Sequence, residues 1–180
     1  MSKVLSRIFH NEQAGLLLAL VLLCLVISLL TPVFFTAINI KNVLRDASLV
    51  AIAGMGMVMV ILLGEIDLSV GSTQAVAGIV AVAVLNQTES VLLAFGVALL
   101  AGALIGLCNG LLVTKAGINS LIATLGMMAI LRGGAMVSTQ AVSIQAKVAG
   151  FVEVGTGYLG PIPIPVLLTF VLFGLFYYVL

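Results

Sequence analysis

Leu62-Leu63-Gly64-Glu65-Ile66-Asp67-Leu68-Ser69-Val70-Gly71-Ser72 sets a pair of carboxylates between long apolar runs. No charge occurs from Ala47 to Gly64, and none from Leu68 to Thr88. An acidic residue in mid-hydrocarbon costs roughly 2.5–3.5 kcal/mol on insertion scales. Glu65 and Asp67 therefore sit either at a membrane surface, as a polar turn, or against a wet cavity inside a helical bundle. Gly64, Gly71 and Ser72 permit an irregular backbone, which lipid tolerates only where protein or water covers it.

The rest of the chain fixes the class. Of 180 residues, 63% are hydrophobic and 7% charged, whereas a soluble domain carries about 25% charged residues. This is the composition of an integral membrane protein. The net charge is +1 and the Lys and Arg residues are scattered, so no basic patch marks a nucleic-acid partner. Cys24 and Cys108 both lie in apolar runs. They read as small hydrophobes in helix packing rather than a disulfide or metal framework.

Outward from the acidic stretch, the apolar runs give an all-α, polytopic transmembrane bundle with about five complete spans and a partial sixth. Residues 1–13 form a polar leader with Lys3, Arg7 and His10, and residues 14–180 the transmembrane domain. Ala14 to Leu30 is longer than a signal core and no A-x-A site follows, so it reads as the first span. Lys3 and Arg7 then place the N-terminus in the cytoplasm, although positive residues in the connecting segments balance, three inside against three outside. In Thr36–Asp46, Ile40, Val43, Leu44 and Ala47 recur at helical spacing opposite Asn39, Lys41, Asn42 and Arg45. This predicts an amphipathic helix at the interface, with an ordinary polar loop as the alternative. Ala47–Gly64 is the second span, rich in Gly, Ala and Met and expected to be enclosed by protein.

Val70–Leu85 follows as the third span, and Asn86–Ser90 as a polar turn. Val91–Val113 is the fourth span. Its Gly102, Gly106 and Gly110 lie on one face and predict a helix-packing surface, with Asn109 beside them. A buried Asn bonds across helices or touches a polar solute. The fifth span, Ile118 to Ser138, opens with Asn119, Ser120 and Thr124 and carries Arg132. Arg132 either snorkels to the headgroups or pairs with Glu65 or Asp67. Residues 139–165, broken by Gly and Pro, form an external loop, and Val166–Leu180 begins the sixth span.

No catalytic constellation is present. The chain has one histidine, no G-x-x-x-x-G-K-[ST] phosphate loop and no Cys/His cluster with metal-ligand spacing. On a helix, Glu65 and Asp67 would project about 200° apart and could not share one proton-transfer site. Transport or assembly is the expected role, without a bound cofactor or metal.

Several segments carry a resemblance. They are Asn42-Val43-Leu44-Arg45-Asp46-Ala47-Ser48, Ala53-Gly54-Met55-Gly56-Met57 and Gly64-Glu65-Ile66-Asp67-Leu68-Ser69-Val70-Gly71-Ser72. Gly106-Leu107-Cys108-Asn109-Gly110-Leu111-Leu112-Val113, Asn119-Ser120-Leu121-Ile122-Ala123-Thr124-Leu125-Gly126-Met127 and Arg132-Gly133 continue in the same register. Together they closely resemble the permease subunits of bacterial monosaccharide ABC importers, of the ribose, xylose, arabinose and galactose type. The resemblance implies a multi-pass protein of the bacterial inner membrane that pairs with a second permease subunit, the same or related. It also implies two ATPase subunits, which bind ATP and Mg on their own chains, and an external sugar-binding protein.

On that resemblance Glu65, Asp67, Ser69, Asn109, Asn119 and Thr124 are expected in the translocation pathway or its gate, and Arg132 in a charge pairing. Glu65 stands where the family usually has a second Gly before Ile-Asp-Leu-Ser. The Gly- and Ala-rich segment that resembles the family's ATPase-docking element does not occur in these 180 residues. Two alternatives therefore stand beside the importer: a truncated, non-transporting membrane fragment or assembly partner, and an ion-coupled secondary carrier.

Overall fold

The computed structural model describes residues 12–179, with side chains from 14 to 178. The leader expected over residues 1–13 lies outside the described residues except for its last two, which begin the first helix. Seven helices and one two-stranded hairpin follow in order among the described residues. They are α1 (Glu12–Leu30), α2 (Ala37–Leu62), α3 (Val70–Thr88), α4 (Val91–Thr114), α5 (Ser120–Thr139), α6 (Ala149–Thr156), β1 (Tyr158–Leu159), β2 (Ile162–Pro163) and α7 (Ile164–Val179). Four of them, α2 to α5, are long and apolar enough to cross a membrane, and Ala14–Leu30 and Ile164–Tyr178 are shorter apolar helices. Large apolar side chains such as Leu29, Leu92, Leu99, Val137 and Phe170 stand exposed on these helices, as they do where the solvent is lipid.

The chain divides into two compact units, Met1–Asp46 and Ala47–Leu180. In the first, α1 ends at a polar turn where the Thr31 N–H donates to the Ile27 carbonyl. The Thr36 hydroxyl oxygen accepts from the Asn39 N–H at 3.3 Å, which caps the start of α2. Here the sequence expectation needs correction. The amphipathic segment is not a separate interfacial helix or a loop but the opening of α2, which continues into the second span. The reason is local: no Gly or Pro interrupts Ala37 to Ala53, so nothing breaks the backbone ladder where the charge pattern changes.

In the second unit α3 packs against both α4 and α5, and α4 against α5. Ala81 and Leu85 of α3 and Ala94 of α4 form the buried centre, with Val91, Ala98, Ala146, Val148 and Phe151 packed on it. Alanine at the contact lets the helix backbones approach closely. The polar run Asn86–Ser90 is mostly helical: α3 continues to Thr88, Glu89 turns left-handed at φ 55° and Ser90 caps α4 through the Leu93 N–H. The Asn86 side chain then reaches residues far along the chain. Its Nδ2 donates to the Gln145 carbonyl at 3.0 Å, and its Oδ1 accepts from the Lys147 N–H at 2.9 Å.

This clamp seats the segment before α6 on the end of α3, and Phe151 meets Phe95 of α4 at 5.2 Å between centroids. The 139–165 interval thus holds a short helix and a hairpin. Tyr158 pairs with Pro163 and Leu159 with Ile162, across a turn with Gly160 at φ 61°. Pro163 and Pro165 are fully buried. The Thr169 hydroxyl of α7 donates to the Ser48 carbonyl at 3.2 Å. The expectation that Ala47–Gly64 is enclosed by protein is not met within the described residues: Val50, Val58, Ile61 and Leu62 are exposed, and a Cβ at Gly54 or Gly56 would touch nothing within 4 Å.

Candidate functional site: a polar loop at the edge of a cavity

The site begins with the end of α2. Gly64 takes φ 78°, its N–H donates to the Ile61 carbonyl, and the Glu65 N–H donates back to the Val60 carbonyl. This pair of bonds is a Schellman stop, which satisfies the last helical carbonyls and needs glycine at the left-handed position. Because the helix ends there, Glu65 and Asp67 are not on a helix, and the 200° separation expected for a helical pair does not apply. Both line the same cavity, of about 220 Å³.

Beyond Gly64 a side-chain relay holds the loop. Asp67 Oδ1 accepts from the Ser69 N–H at 2.7 Å and from the Ser69 hydroxyl at 2.6 Å, an Asx-type turn leading into α3. The Ser69 Oγ in turn accepts from Asn109 Nδ2 of α4 at 2.9 Å. The Thr124 hydroxyl of α5 donates to the Ser120 carbonyl at 2.7 Å and approaches the Ile66 carbonyl at 3.5 Å. Ser69 is fully buried, Thr124 is 3% exposed and Asn109 6%. The relay therefore works away from water, where each hydrogen bond is electrostatically stronger.

Helix geometry gives the depth. Asn109 lies five residues before the end of α4 and Thr124 four after the start of α5, so the loop meets these helices about 6–8 Å inside their ends. Glu65 and Asp67 both line this cavity, and each is half-buried. Asn109, Ser120 and Thr124 line it with them, as do the apolar Val60, Leu63, Ile66 and Val113. Among the described residues no Lys or Arg borders it. One atom is left over: Asn109 Oδ1 is buried without a hydrogen-bond donor.

The other candidates lie elsewhere or act differently. Asn119 caps α5, its Oδ1 accepting from the Leu121 N–H at 3.0 Å. Arg132 borders a second cavity, of about 440 Å³, with Leu68, Gly71, Ser72 and Ala75. It makes no ion pair with Glu65 or Asp67; an ion pair forms elsewhere, between Arg45 and Asp46 at 3.4 Å. A Cβ at Gly102, Gly106 or Gly110 would meet nothing within 4 Å, so no helix packs closely on that face within the described residues. Gly106 and Gly110 instead form part of the cavity wall. That role, and Ser120 beside Thr124, escaped the sequence reading. The available signal was the Ser120 and Thr124 hydroxyl pair, spaced i and i+4 on one face of α5.

With this geometry in place, comparison with known proteins is decisive for the family. The profile of the permease component of branched-chain amino acid transport systems matches residues 39–180. The chain belongs to this permease family. It is 38% identical over 176 residues to the ribose import permease protein RbsC of Haemophilus influenzae, covering 96% of this chain and 54% of that protein. It is 35% identical over 166 residues to the L-arabinose ABC transporter permease protein AraH of Azospirillum brasilense, covering 91% and 49%. The ribose import permease protein RbsC of Escherichia coli K12 is 43% identical over 142 residues, covering 79% and 43%. This permease chain spans about half the length of the curated relatives it matches. No solved structure matches it. Family membership and four long apolar helices together make it a membrane-embedded protein.

Proposed function

We propose that the chain acts as part of the membrane-spanning permease subunit of an ATP-binding-cassette importer that carries a monosaccharide across the bacterial inner membrane. An external sugar-binding protein delivers the solute, a second permease subunit completes the path, and two ATPase subunits supply energy from ATP and Mg bound on their own chains. The N-terminus is cytoplasmic. The observation that carries this reading is the family match over residues 39–180, whose relatives include import permeases for ribose and L-arabinose. The geometry supports it with a polar loop held between three candidate spans at the edge of a cavity.

Glu65, Asp67, Ser69, Asn109 and Thr124 are assigned to the pathway or its gate. Asn119 positions the start of α5, and Arg132 is left to pair with a charge outside the described residues. Transport then requires walls that are polar enough to receive the solute and weak enough to release it. The test is purification of the chain from native membranes, with assay for a bound ATPase and for ATP hydrolysis stimulated by sugar-loaded binding protein. A stimulated complex is expected. A preparation with no ATPase overturns the importer reading in favour of a fragment. Uptake that persists without ATP and collapses with the proton gradient overturns it in favour of an ion-coupled carrier.

A further inference from the structure

We propose that the β1–β2 hairpin is a lipid anchor, whose Leu159 and Ile162 side chains rest where headgroups meet acyl chains beside the start of α7. The inference needs only a membrane-embedded chain and is independent of the solute carried. Three observations lead to it. First, the hairpin turns an apolar face outward. Leu159 and Ile162 are cross-strand partners, so their side chains share one face, and they are 68% and 42% exposed. The next pair along the ladder puts Pro163, fully buried, on the opposite face. Pro161 at the turn is exposed as well. No charge occurs from residue 154 to residue 178, whereas a turn that faces water is ordinarily polar.

Second, the hairpin is tied to an apolar helix. Ile162 stands two residues before Ile164, the first residue of α7, so strand spacings keep it and Leu159 within about 7–9 Å of the helix start. The Ile164 N–H donates to the Gly157 carbonyl at 3.0 Å, and β2 packs on α7, so hairpin and helix start move as one piece. The headgroup layer on each side of the hydrocarbon is about 5–7 Å thick. A tip on so short a tether lies at that layer. It also adjoins a helix whose own Phe170, Val171 and Phe173 stand exposed.

Third, the patch suits lipid better than protein. Residues 158–162 are five in number, whereas a stable protein interface takes about 20–30 residues from each partner, and no charge here would orient one. Tyr158, with an apolar body and a polar tip, is of the type enriched at the membrane–water boundary. The open edges of a two-stranded hairpin need water or headgroups to satisfy their backbone groups, which keeps the tip out of the hydrocarbon itself.

The chain contains no tryptophan, so Leu159→Trp and Ile162→Trp each create a lone fluorescent reporter, and the reading does not hang on one variant folding. Leu99→Trp, about 12 Å inside α4, is the deep reference, and free N-acetyltryptophanamide is the water reference. The full chain is placed in phosphatidylcholine vesicles brominated either near the acyl carbonyl or near the chain end. Iodide is the aqueous quencher, and each reading is taken at two lipid-to-protein ratios.

The expected result is emission from both hairpin reporters to the blue of the water reference. Shallow bromines should quench them more than deep ones, with the reverse order at Leu99→Trp, and dilution into more lipid should change neither. Leu159→Ser should move the Ile162→Trp reading toward water. Emission at the water position, with iodide quenching equal to the free reference, overturns the proposal. So does a preference for deep bromines like that of Leu99→Trp, or an Ile162→Trp reading that ignores Leu159→Ser. Shielding from iodide without any bromine quenching overturns it in favour of protein cover, and loss of that shielding on dilution identifies the cover as a second copy of this chain.

Discussion

Ser69→Ala removes one oxygen from the relay and tests whether it holds the loop between helices. Ser69 Oγ is the donor to Asp67 Oδ1 at 2.6 Å and the acceptor from Asn109 Nδ2 at 2.9 Å, and the side chain is fully buried. A hydrogen bond to a charged group contributes about 1.5–3 kcal/mol. Cross-helix bonds in membrane bundles average about 0.6 and reach about 1.7 kcal/mol. Alanine loses both but keeps the backbone bond from the Ser69 N–H to Asp67, at 2.7 Å. The expected destabilisation is therefore about 2–4 kcal/mol. Ser72→Ala, which removes a single hydroxyl bond to the Ser69 carbonyl, should cost less than about 1 kcal/mol. Reversible unfolding in mixed micelles by titration with SDS, followed by circular dichroism, measures both variants. A double-mutant cycle with Asn109→Leu should show coupling, because the two residues share one bond. A Ser69→Ala variant within about 0.5 kcal/mol of the parent, or a cycle without coupling, would refute the relay.

Three further outcomes follow from backbone geometry and the loop clamp. Gly64→Ala should lower stability by about 1–2 kcal/mol in the same titration, since φ 78° disfavours any Cβ while the space around it is open; an unchanged midpoint would contradict the Schellman stop. Asn86→Ala removes both bonds that seat Gln145 and Lys147, and should speed hydrogen exchange at the Lys147 amide by about tenfold, equivalent to ~1.4 kcal/mol of local protection, with little change at the Ala81–Ala94 centre. Gly157→Ala would drive a Cβ into the Glu153 carbonyl oxygen and against Ile164, so limited proteolysis should cut between α6 and α7 faster than in the parent; equal rates would show that the turn gives way at no cost.

The sequence by itself determined the solvent and the helices. Composition excluded a water-soluble domain, because so few charges cannot cover a surface, and uninterrupted apolar runs had to satisfy their backbone bonds within helices. The ordered motifs around Asp67, Asn109 and Thr124 also carried the family. Local chemistry made the irregular backbone at Gly64 legible, whereas the caps at Ser90 and Asn119 came only with the structure. The tertiary structure decided what those motifs do to one another. The sequence left Glu65 and Asp67 open between a surface turn and a cavity, and the chain beyond the left-handed Gly64 brings both to the lining of one cavity. Nothing in one dimension says that Ser69 bonds Asn109, 40 residues away, or that Asn86 bonds Lys147, 61 residues away. Nor could Gly106 and Gly110 of α4 be read as cavity wall, since small residues permit a wall or a helix contact and only the placement of neighbours puts a cavity there. The continuous α2 makes the same point in reverse: a change in polarity along the chain moves a helix between environments without ending it, because only the backbone's own breakers end a helix.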